Sequence, residues 1–414
     1  PTHWDFSIDL PSSKSISNRA LLLCALSGAG SSVEHLAVCD DTRVMWDALR
    51  NRPETIDIGA AGTAMRFLTA YFAVCQGEVH TLTGTSRMRN RPIGVLVDAL
   101  RQLGAKISYT EREGFPPLHV EGQSLSGGTL TLPGNVSSQY ISALLMIAPT
   151  MQEGLRLELE GEVLSRPYID MTLAMLRTFG IATEWAGEQA LVVQPGRFHD
   201  ELSYLVESDW SAASYWYEAL ALSADTTGRI TLPGLFKESL QGDSRIRELF
   251  RSLGVETTFD EELQQVTLTK VAAEDHYTAR QPWVCYLGDT PDLTQTLVVT
   301  CAMLRRPFRF TGVRSLRIKE TDRIAALQNE LRKYGLELQA EGDDVLTLMD
   351  YPAGTPHYDG TPIHTYADHR MAMAFAPTAI VCEGVEIADA EVVTKSYPTF
   401  WQTLEQLSAH PAAH

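Results

Sequence analysis

The apolar residues of this chain recur in six similar runs, each long enough to form a helix. Within each run the apolar side chains cover nearly the whole helical surface, which is typical of a helix surrounded by protein. A short polar motif precedes each run, so we predict six buried helices that begin near residues 14, 61, 136, 207, 289 and 368. The runs, each with its motif, are KSISNR with ALLLCAL, AGTAMR with FLTAYFAV, VSSQ with YISALLMIA, ESDWSAAS with YWYEALAL, DTPDLTQ with TLVVTCAM, and DHR with MAMAFAPTAIV.

A second pattern lies between most of these runs and predicts an amphipathic helix that ends in glycine and leads into a short strand. It recurs at nearly equal intervals, so each repeating unit spans roughly 75 residues of mixed helix and strand. The distance between the first two polar motifs is shorter, and RVMWDALRNRPETIDIG therefore predicts a unit with a shortened hairpin. The four examples are VDALRQLGAKI with Gly104, LAMLRTFGIAT with Gly180, RELFRSLGVET with Gly254 and LQNELRKYGLEL with Gly335.

Six repeating units predict an α/β protein of two similar domains, each with three units in which a sheet surrounds buried helices. The length supports two domains, because 414 residues with 44% hydrophobic content exceed what one ordinary core accommodates. Short Pro-Gly segments such as Leu132-Pro133-Gly134 recur inside the units and predict turns at strand ends.

The net charge of −18 excludes a general affinity for nucleic acid or for an anionic membrane surface. An anionic ligand would therefore need a local basic pocket. Six scattered cysteines without a CxxC pair are typical of a reduced chain without a structural zinc site. With no apolar run long enough to span a membrane and no export signal at its start, the sequence is expected to be cytoplasmic.

The polar motifs before the buried helices are candidate anion sites, because a helix amino terminus carries unpaired N–H groups and a positive partial charge. Capping alone explains Ser, Thr or Asp at one such position, and a single arginine there could face solvent. Cations repeated at the same point of several units favour anion binding, since capping needs no cation. The residues concerned are Lys14, Ser15, Arg19, Gly62, Thr63, Arg66, Ser137, Ser138, Gln139, Asp368, His369 and Arg370.

The segment TGTSRMRNRPIG adds three alternating arginines, which an extended chain would direct to one side. Arg87 is the strongest candidate for a binding role, whereas a solvated loop explains Arg89 and Arg91 equally well. In RIKETDR a helix is predicted to start near Thr321, with Lys319, Glu320 and Arg323 sharing one face. These residues fit either a proton-handling carboxylate among cations or an ordinary surface ion-pair cluster.

Several familiar catalytic motifs are absent from the sequence. It contains no GxxxxGK[ST] phosphate loop, no GxGxxG after a strand, no HExxH and no GxSxG. The eleven histidines show no metal-ligand spacing. Chemistry on an anionic small molecule, without a metal, is the remaining expectation.

Seven motifs occur in an order that resembles the 5-enolpyruvylshikimate-3-phosphate (EPSP) synthase family over nearly the whole chain: KSISNRA, AGTAMR, RPIG, VSSQ, SRPYID, RIKETDR and DHRMAM. The resemblance implies transfer of the enolpyruvyl group of phosphoenolpyruvate to the 5-hydroxyl of shikimate 3-phosphate. Phosphate is released, and the product serves chorismate and aromatic amino acid biosynthesis. No cofactor or metal is expected, the partners are the two small substrates, and a monomer is implied.

The resemblance also implies a domain arrangement of the inverse α/β barrel kind. One domain comprises residues 1–12 and 208–414, the other comprises residues 13–207, and the chain crosses between them twice. The active site is expected in the cleft between the domains, which would close over the substrates and exclude water.

The family's binding residues map onto matching positions of this sequence. Shikimate 3-phosphate would be held by Lys14, Ser15, Arg19, Ser137, Ser138, Ser165, Asp292, Ser315 and Lys319. Phosphoenolpyruvate would be held by Lys14, Gly62, Arg87, Gln139, Arg323, Arg370 and Lys395. The residues implied in catalysis are Asp292, Glu320, Lys14 and Lys395.

The mechanism that the resemblance implies is an addition followed by an elimination. A carboxylate at Asp292 takes the proton of the 5-hydroxyl, and one at Glu320 handles protonation of the methylene carbon of phosphoenolpyruvate. The tetrahedral adduct then expels phosphate as the proton flow reverses, while clustered cations stabilise the leaving group.

The sequence departs from the family pattern at three points. Ser315 stands where asparagine is common before KETDR, Ala60 replaces the asparagine of the usual GNAGTAMR, and the unit before Ala60 is shortened. The last two changes bear on the phosphoenolpyruvate pocket and hence on sensitivity to glyphosate.

Two alternative functions remain open at this stage. The first is the related enzyme that transfers enolpyruvate to UDP-N-acetylglucosamine, which typically uses a loop cysteine as acid. No cysteine lies between Cys75 and Cys285, where that loop would fall. The second is a binding protein that kept the fold and lost turnover, against which the presence of Asp292, Glu320 and Lys395 argues.

Overall fold

The computed structural model describes residues 3–274, 276–354 and 356–409. Residues 1, 2 and 410–414, which the sequence assigns to the first domain, lie outside the described residues. The chain forms two compact units. One, the continuous unit, is Ser12–Val206; the other, the split unit, combines Pro1–Pro11 with Glu207–His414.

Helices and strands are interspersed along the described chain, as expected of an α/β protein. The α-helices are α1 Lys14–Ser27, α2 Asp40–Asn51, α3 Gly62–Ala73, α4 Ser86–Arg89, α5 Gly94–Gln102, α6 Ser138–Ile147, α7 Arg166–Thr178, α8 Trp210–Leu222, α9 Ile246–Arg251, α10 Thr294–Met303, α11 Arg323–Arg332, α12 His369–Phe375 and α13 Phe400–Ala409. The strands are β1 Asp5–Ser7, β2 Ser32–Glu34, β3 Thr55–Asp57, β4 Val79–Thr83, β5 Lys106–Tyr109, β6 Leu118–Glu121, β7 Gly128–Pro133, β8 Leu155–Glu160, β9 Thr183–Trp185, β10 Ala190–Val193, β11 Ser203–Leu205, β12 Arg229–Pro233, β13 Val255–Asp260, β14 Gln265–Lys270, β15 Trp283–Tyr286, β16 Phe308–Thr311, β17 Gln339–Glu341 and β18 Val345–Leu348.

The six predicted buried helices are α1, α3, α6, α8, α10 and α12. In the continuous unit α1, α3 and α6 pack against one another, and in the split unit α8, α10 and α12 do so. Every residue of α3, α8, α10 and α12 is buried. Each large apolar side chain removed from water in this way contributes roughly 1.5 to 3 kcal/mol to folding. The cores of both units are therefore built on helices whose amino termini carry the polar motifs.

Four sheets repeat one topology, which confirms the repeating units. In each, two parallel strands are followed by a hairpin whose second strand pairs antiparallel with the inner one, in the orders β3-β4-β6-β5, β7-β8-β10-β9, β1-β12-β14-β13 and β15-β16-β18-β17. The fifth sheet, β11-β2, has two strands and belongs to the unit of α1. The shortened unit predicted from the sequence is thus present.

The predicted amphipathic helices are α5, α7, α9 and α11, each followed by its glycine. These glycines have φ angles of +101°, +87°, +89° and +71°, a region open to glycine but rarely to other residues. The left-handed residue stops the helix and turns the chain toward the next hairpin. Among the described residues, no helix is both long and apolar enough to cross a membrane.

Candidate active site

Four of the six buried helices, α1, α6, α8 and α12, are capped at their amino termini by polar side chains. Ser13 accepts a hydrogen bond from the N–H of Ile16 at 3.2 Å, and Asp209 accepts one from the N–H of Ala212 at 3.1 Å. Ser137 caps α6 through the N–H of Gln139 at 3.3 Å. Capping therefore explains the hydroxyl and carboxyl groups here, but not the cations beside them.

Lys14 is the first residue of α1, and its ammonium group lies 3.1 Å from a carboxylate oxygen of Asp41. The Asp41 side chain is 3% exposed and that of Lys14 is 13% exposed. Sequence reasoning did not identify Asp41, because the contact joins α1 to α2. This carboxylate holds the lysine ammonium group in place.

Arg19 lies one turn into α1 and is 2% exposed. Its guanidinium donates to the hydroxyl of Thr172 at 2.8 Å, the hydroxyl of Ser142 at 3.0 Å and the carbonyl of Ser15 at 2.9 Å. All three acceptors are uncharged, and burial lowers the pKa of Arg19 to about 10. A buried cation held by neutral groups stabilises an incoming anion such as a phosphate.

A second basic group surrounds Gly62, the first residue of α3. Arg66 donates to the carbonyl of Gly62 and to Gln139 Oε1, both at 2.9 Å, and the Gln139 amide donates to Thr63 Oγ1 at 2.9 Å. A Cβ added at Gly62 would lie 2.5 Å from Arg91 Nη1 and 2.8 Å from Arg66 Nη1. A side chain at position 62 would therefore displace these two guanidinium groups.

Arg66, which the sequence already marked as a candidate anion-binding residue, and Arg91 both lie at Gly62. For Arg91 a solvated loop was an equally good interpretation, and an extended chain was expected to direct all three arginines of this segment to one side. That prediction is wrong: Ser86–Arg89 is a helix, α4, whose amino terminus is capped by the Thr85 hydroxyl at 3.3 Å from the N–H of Met88. Residues two apart do not face the same way in a helix, so the alternation in the sequence does not bring Arg87 and Arg89 to one side.

Arg87 and Arg89, both on α4, have different surroundings. Arg87 is exposed, and among the described residues no hydrogen bond or ion pair to its guanidinium is found. Arg89 forms an ion pair with Glu111 at 3.3 Å on the surface. Arg87 thus remains accessible to a ligand, whereas Arg89 has a partner within the protein.

Three of the five serines predicted to bind shikimate 3-phosphate lie at the starts of α6 and α7. Ser137 and Ser138 open α6 and are partly buried. Ser165 precedes α7, is 7% exposed, and has a φ of +53° in the left-handed region. A non-glycine residue held in that region signals a constrained position.

In the split unit, one buried arginine binds three carboxylates. Arg323 is the first residue of α11 and is 1% exposed. Its guanidinium lies 2.7 Å from Asp368, 3.0 Å from Asp292 and 2.9 Å from Glu320. The ordinary surface cluster considered for RIKETDR is therefore wrong, because the arginine at its centre is buried.

Three further cations complete this group. Arg370 donates to Asp292 at 3.2 Å and to the hydroxyl of Tyr215 at 3.3 Å. Lys395 donates to Glu320 at 2.8 Å, and Lys319 lies 3.9 Å from Asp292. We call these residues the carboxylate cluster: Asp292, Glu320, Asp368, Arg323, Arg370, Lys319 and Lys395.

Ser315 lies in the short 3-10 helix Arg314–Ile318 that leads to the carboxylate cluster. Its side chain is partly buried, and within the described ranges no hydrogen bond to it is found. Ser315 is therefore close to Lys319 in sequence, but no hydrogen bond links it to the described residues of the carboxylate cluster.

The carboxylate cluster shifts the proton affinities of its members. Burial alone would raise the pKa of Asp292, but Arg370, Lys319 and Arg323 outweigh it and hold that pKa well below its ordinary value. Burial lowers the pKa of Lys319. Asp292 is therefore ionised at neutral pH, as a proton acceptor must be.

Asp243 is a further buried carboxyl group beside this cluster, and the sequence did not reveal it. Burial raises its pKa to about 7, and the Asp292 carboxylate adds to that rise. Asp243 accepts a hydrogen bond from the Ser211 hydroxyl at 2.5 Å. The pKa of Asp243 is therefore raised, whereas that of Asp292 is lowered.

These groups suit chemistry on phosphorylated, carboxylated substrates. Buried guanidinium and ammonium groups bind phosphate and carboxylate oxygens, and ionised carboxylates held by the same cations accept and return protons. Among the described residues, no group of three or more His, Cys, Asp or Glu side chains is arranged to hold a metal ion.

The sequence matches one family along most of its length. The family model for EPSP synthase (3-phosphoshikimate 1-carboxyvinyltransferase) matches residues 3–53 and 51–404. The 3-phosphoshikimate 1-carboxyvinyltransferase of Bacteroides fragilis is 50% identical over 407 residues, covering 98% of this chain and 96% of that protein. The corresponding protein of Cronobacter sakazakii is 37% identical over 432 residues, again covering 98% of this chain and 96% of that protein.

Solved structures support the fold independently of close sequence similarity. An EPSP synthase structure from Acinetobacter baumannii matches with a TM-score of 0.74 at 22% identity, covering 98% of this chain and 96% of that one. A second structure from the same organism matches with a TM-score of 0.73 at 21% identity. These structures show the fold, and the family model and the relatives show that the chain belongs to the EPSP synthase family.

Proposed function

We propose how the residues described above carry out the reaction of the EPSP synthase family in this chain. The enzyme transfers the enolpyruvyl group of phosphoenolpyruvate to the 5-hydroxyl of shikimate 3-phosphate. The substrate oxygen bonds to C2 of phosphoenolpyruvate while C3 gains a proton, giving a tetrahedral adduct. Loss of a proton from C3 and of phosphate from C2 then gives 5-enolpyruvylshikimate 3-phosphate.

The continuous unit supplies groups that bind anions in this proposal. Shikimate 3-phosphate would be bound by the guanidinium of Arg19 and by residues at the amino termini of α1, α6 and α7. These residues are Lys14, Ser15, Ser137, Ser138 and Ser165. Phosphoenolpyruvate would meet Gly62, Arg87 and Gln139, and we add Arg66 and Arg91 because both guanidinium groups lie at Gly62.

The split unit supplies the proton transfers. Asp292 is the proposed base for the 5-hydroxyl, and Glu320 is the proposed acid for C3, with Lys395 next to it at 2.8 Å. Arg323, Arg370 and Lys395 would bind phosphoenolpyruvate, while Lys319 would assist in binding shikimate 3-phosphate. An anion bound to these cations offsets their pull on Asp292 and thereby raises its basicity in the complex.

The observation that carries this proposal is that one arginine binds both proposed proton-transfer carboxylates, Asp292 and Glu320. Arg323 lies 3.0 Å from Asp292 and 2.9 Å from Glu320. One buried cation therefore fixes both proton-transfer groups relative to each other, as an addition and elimination on neighbouring carbons requires.

The direct test measures phosphate release from phosphoenolpyruvate by the purified protein. We expect release with shikimate 3-phosphate and none with UDP-N-acetylglucosamine. Release with the nucleotide sugar alone would assign the chain to the related enzyme, and release with neither would favour a binding protein without turnover.

Asp292→Ala and Glu320→Ala test the catalytic roles. Each is expected to lower kcat by about 10²-fold or more, the usual contribution of an acid or base, with substrate binding largely intact by calorimetry. Near-normal turnover in either variant would contradict that residue's role.

The compartment and the oligomeric state complete the proposal. All six cysteines are free thiols, which suits the reducing cytoplasm that we propose as the site of action. We propose a monomer with two small-molecule substrates, which light scattering in solution would test.

A further inference from the structure

Helix α11 holds the segment that leads into α12 at two separate points. The first is at its amino terminus, where Arg323 binds Asp368 at 2.7 Å and Asp368 in turn caps α12. The second point lies two turns further along α11, at Glu330, outside the carboxylate cluster. The chemistry proposed above makes no use of it.

Glu330 is 1% exposed, and both of its carboxylate oxygens are hydrogen-bonded to this segment. Oε1 accepts from the hydroxyl of Tyr366 at 2.7 Å, and Oε2 accepts from the N–H of His364 at 3.0 Å. Lys333 binds Oε2 at 2.5 Å and also donates to the carbonyl of Pro362 at 2.7 Å. The ion pair of Glu330 and Lys333 thus binds one loop at three positions, residues 362, 364 and 366.

The loop needs such support because two successive residues adopt an unfavourable backbone conformation. Tyr366 has a φ of +56° and Ala367 a φ of +53°. Side-chain-bearing residues rarely occupy this left-handed region, and two in sequence persist only when surrounding contacts hold them. The N–H of Asp368, bonded to the carbonyl of Thr365 at 2.8 Å, closes this turn immediately before α12.

The turn determines where Arg370 lies. Its N–H donates to Asp368 at 2.9 Å, and its guanidinium reaches Asp292 at 3.2 Å and Tyr215 at 3.3 Å. If Tyr366 and Ala367 relaxed to an ordinary conformation, the start of α12 would move and carry Arg370 with it.

We propose that Glu330 and Tyr366 are positioning residues, which hold the strained turn so that Arg370 is placed for phosphoenolpyruvate. This inference rests on the proposed function, because it takes Arg370 as a ligand of that substrate. Neither residue touches the reacting atoms in this proposal. Their effect is transmitted through the backbone from the turn to α12.

Tyr366→Phe tests the proposal by removing one hydroxyl. We expect the KM for phosphoenolpyruvate to rise about tenfold, with kcat and the KM for shikimate 3-phosphate within about twofold of wild type, as loss of a positioned ligand of one substrate predicts. Tyr358→Phe is the matched control, because its hydroxyl bonds to the carbonyl of Thr361 at 2.6 Å, within the same loop but not to α11. The control is expected to leave all three constants unchanged.

Glu330→Gln and the double variant, which combines Glu330→Gln with Tyr366→Phe, separate this role from general destabilisation. Both single changes weaken the same hydrogen bond, so the double variant should raise the KM for phosphoenolpyruvate no further than Glu330→Gln alone. Fully multiplicative effects, or equal changes in both KM values and in kcat, would overturn the proposal.

Hydrogen exchange gives a second measurement that does not depend on turnover. In Tyr366→Phe the amides of Asp368 and Arg370 should exchange at least about tenfold faster than in wild type, and in Tyr358→Phe they should not. Unchanged exchange would refute the positioning role even if activity fell. A wild-type protein without enolpyruvyl transfer would instead contradict the proposed function, and exchange would still decide whether the two residues hold the turn.

Discussion

Arg323 and Glu218 are both buried in the split unit, yet their surroundings are opposite. Burial by itself lowers the pKa of Arg323, but Asp368, Glu320 and Asp292 outweigh it and raise that pKa. Glu218, on α8, is 0% exposed, and within the described residues neither carboxylate oxygen has a hydrogen-bond partner. Burial therefore raises the pKa of Glu218 well above its ordinary value. A paired charge retains its ionised form, and an unpaired carboxyl is driven to its neutral form.

Glu218→Gln should consequently change how stability depends on pH. The folded state holds the Glu218 proton more tightly than the unfolded state, so this contribution is fully present below the unfolded pKa and is lost as pH rises toward the folded pKa. Across that window wild type loses about 1.4 kcal/mol per pH unit relative to the variant. Urea unfolding of both proteins at pH 5 and pH 8 measures the difference, and parallel curves would contradict it.

Arg91 and Arg89 offer a matched pair at the surface of the continuous unit. Arg91→Ala should raise the KM for phosphoenolpyruvate about tenfold, since the proposed charge-assisted hydrogen bond between Arg91 and this substrate is lost. Arg89→Ala should leave it nearly unchanged, because its partner is the exposed Glu111. Steady-state kinetics measures the KM for phosphoenolpyruvate in both variants. A larger increase in Arg89→Ala than in Arg91→Ala would contradict the assignment of Arg91 to this substrate.

Single residues were predicted from the sequence only where a motif marks them. Arg19, Arg323 and Arg370 lie in motifs that match the family, and the structure gives each a buried environment. Asp41 and Asp243 carry no such local signal. Their contacts join segments distant in sequence, and no period or spacing along the chain encodes such pairings.

At the scale of elements, the glycines that end the amphipathic helices differ in how much space surrounds them. A Cβ at Gly335 would meet no atom within 4 Å, whereas one at Gly254 would lie 2.9 Å from the carbonyl oxygen of Val271. Both glycines have positive φ angles. Replacing either glycine by alanine therefore incurs the backbone penalty of a positive φ angle, but only the change at Gly254 adds a steric clash.

Gly335→Ala should thus cost about 1 to 2 kcal/mol of unfolding free energy, the usual penalty for a left-handed residue. Gly254→Ala should cost clearly more, since a backbone carbonyl must also shift. Denaturant unfolding of the two variants under the same conditions provides the comparison. Equal losses would show that the contact at Gly254 relaxes freely.

Elements were predicted well because their signals are local. The apolar run of α8 and the glycine after α9 both lie within the segment whose structure they predict. The helix α4 was missed since four residues provide too little periodicity, and its capping Thr85 resembles an ordinary loop residue. The left-handed turn at Tyr366 and Ala367 was missed for a different reason: neither residue type favours that conformation, which distant contacts impose.

At the scale of the whole molecule, the continuous unit can be tested as an independent domain. It is one uninterrupted segment, and its strands β2 and β11 pair with each other at its two ends. Residues 12–206 are therefore expected to unfold cooperatively on their own, which circular dichroism would show. A non-cooperative transition would contradict this expectation.

The split unit should depend on the amino-terminal segment. Trp4, Phe6 and Ile8 are buried in its core, and β1 pairs with β12. Residues 207–409 alone should therefore be less stable than the same fragment supplied with a peptide of residues 3–11. No gain from the peptide would show that β1 is dispensable.

The pairing of β1 with β12 also bears on how the protein is made. Asp5 pairs with Arg229, so β1 leaves the ribosome more than 200 residues before its neighbouring strand. At about 5 to 20 residues per second, translation takes on the order of 10 to 40 s to supply that neighbour. The continuous unit is completed during this delay. Until then the Trp4, Phe6 and Ile8 side chains stay exposed, and they are a natural target for chaperones that bind nascent apolar segments.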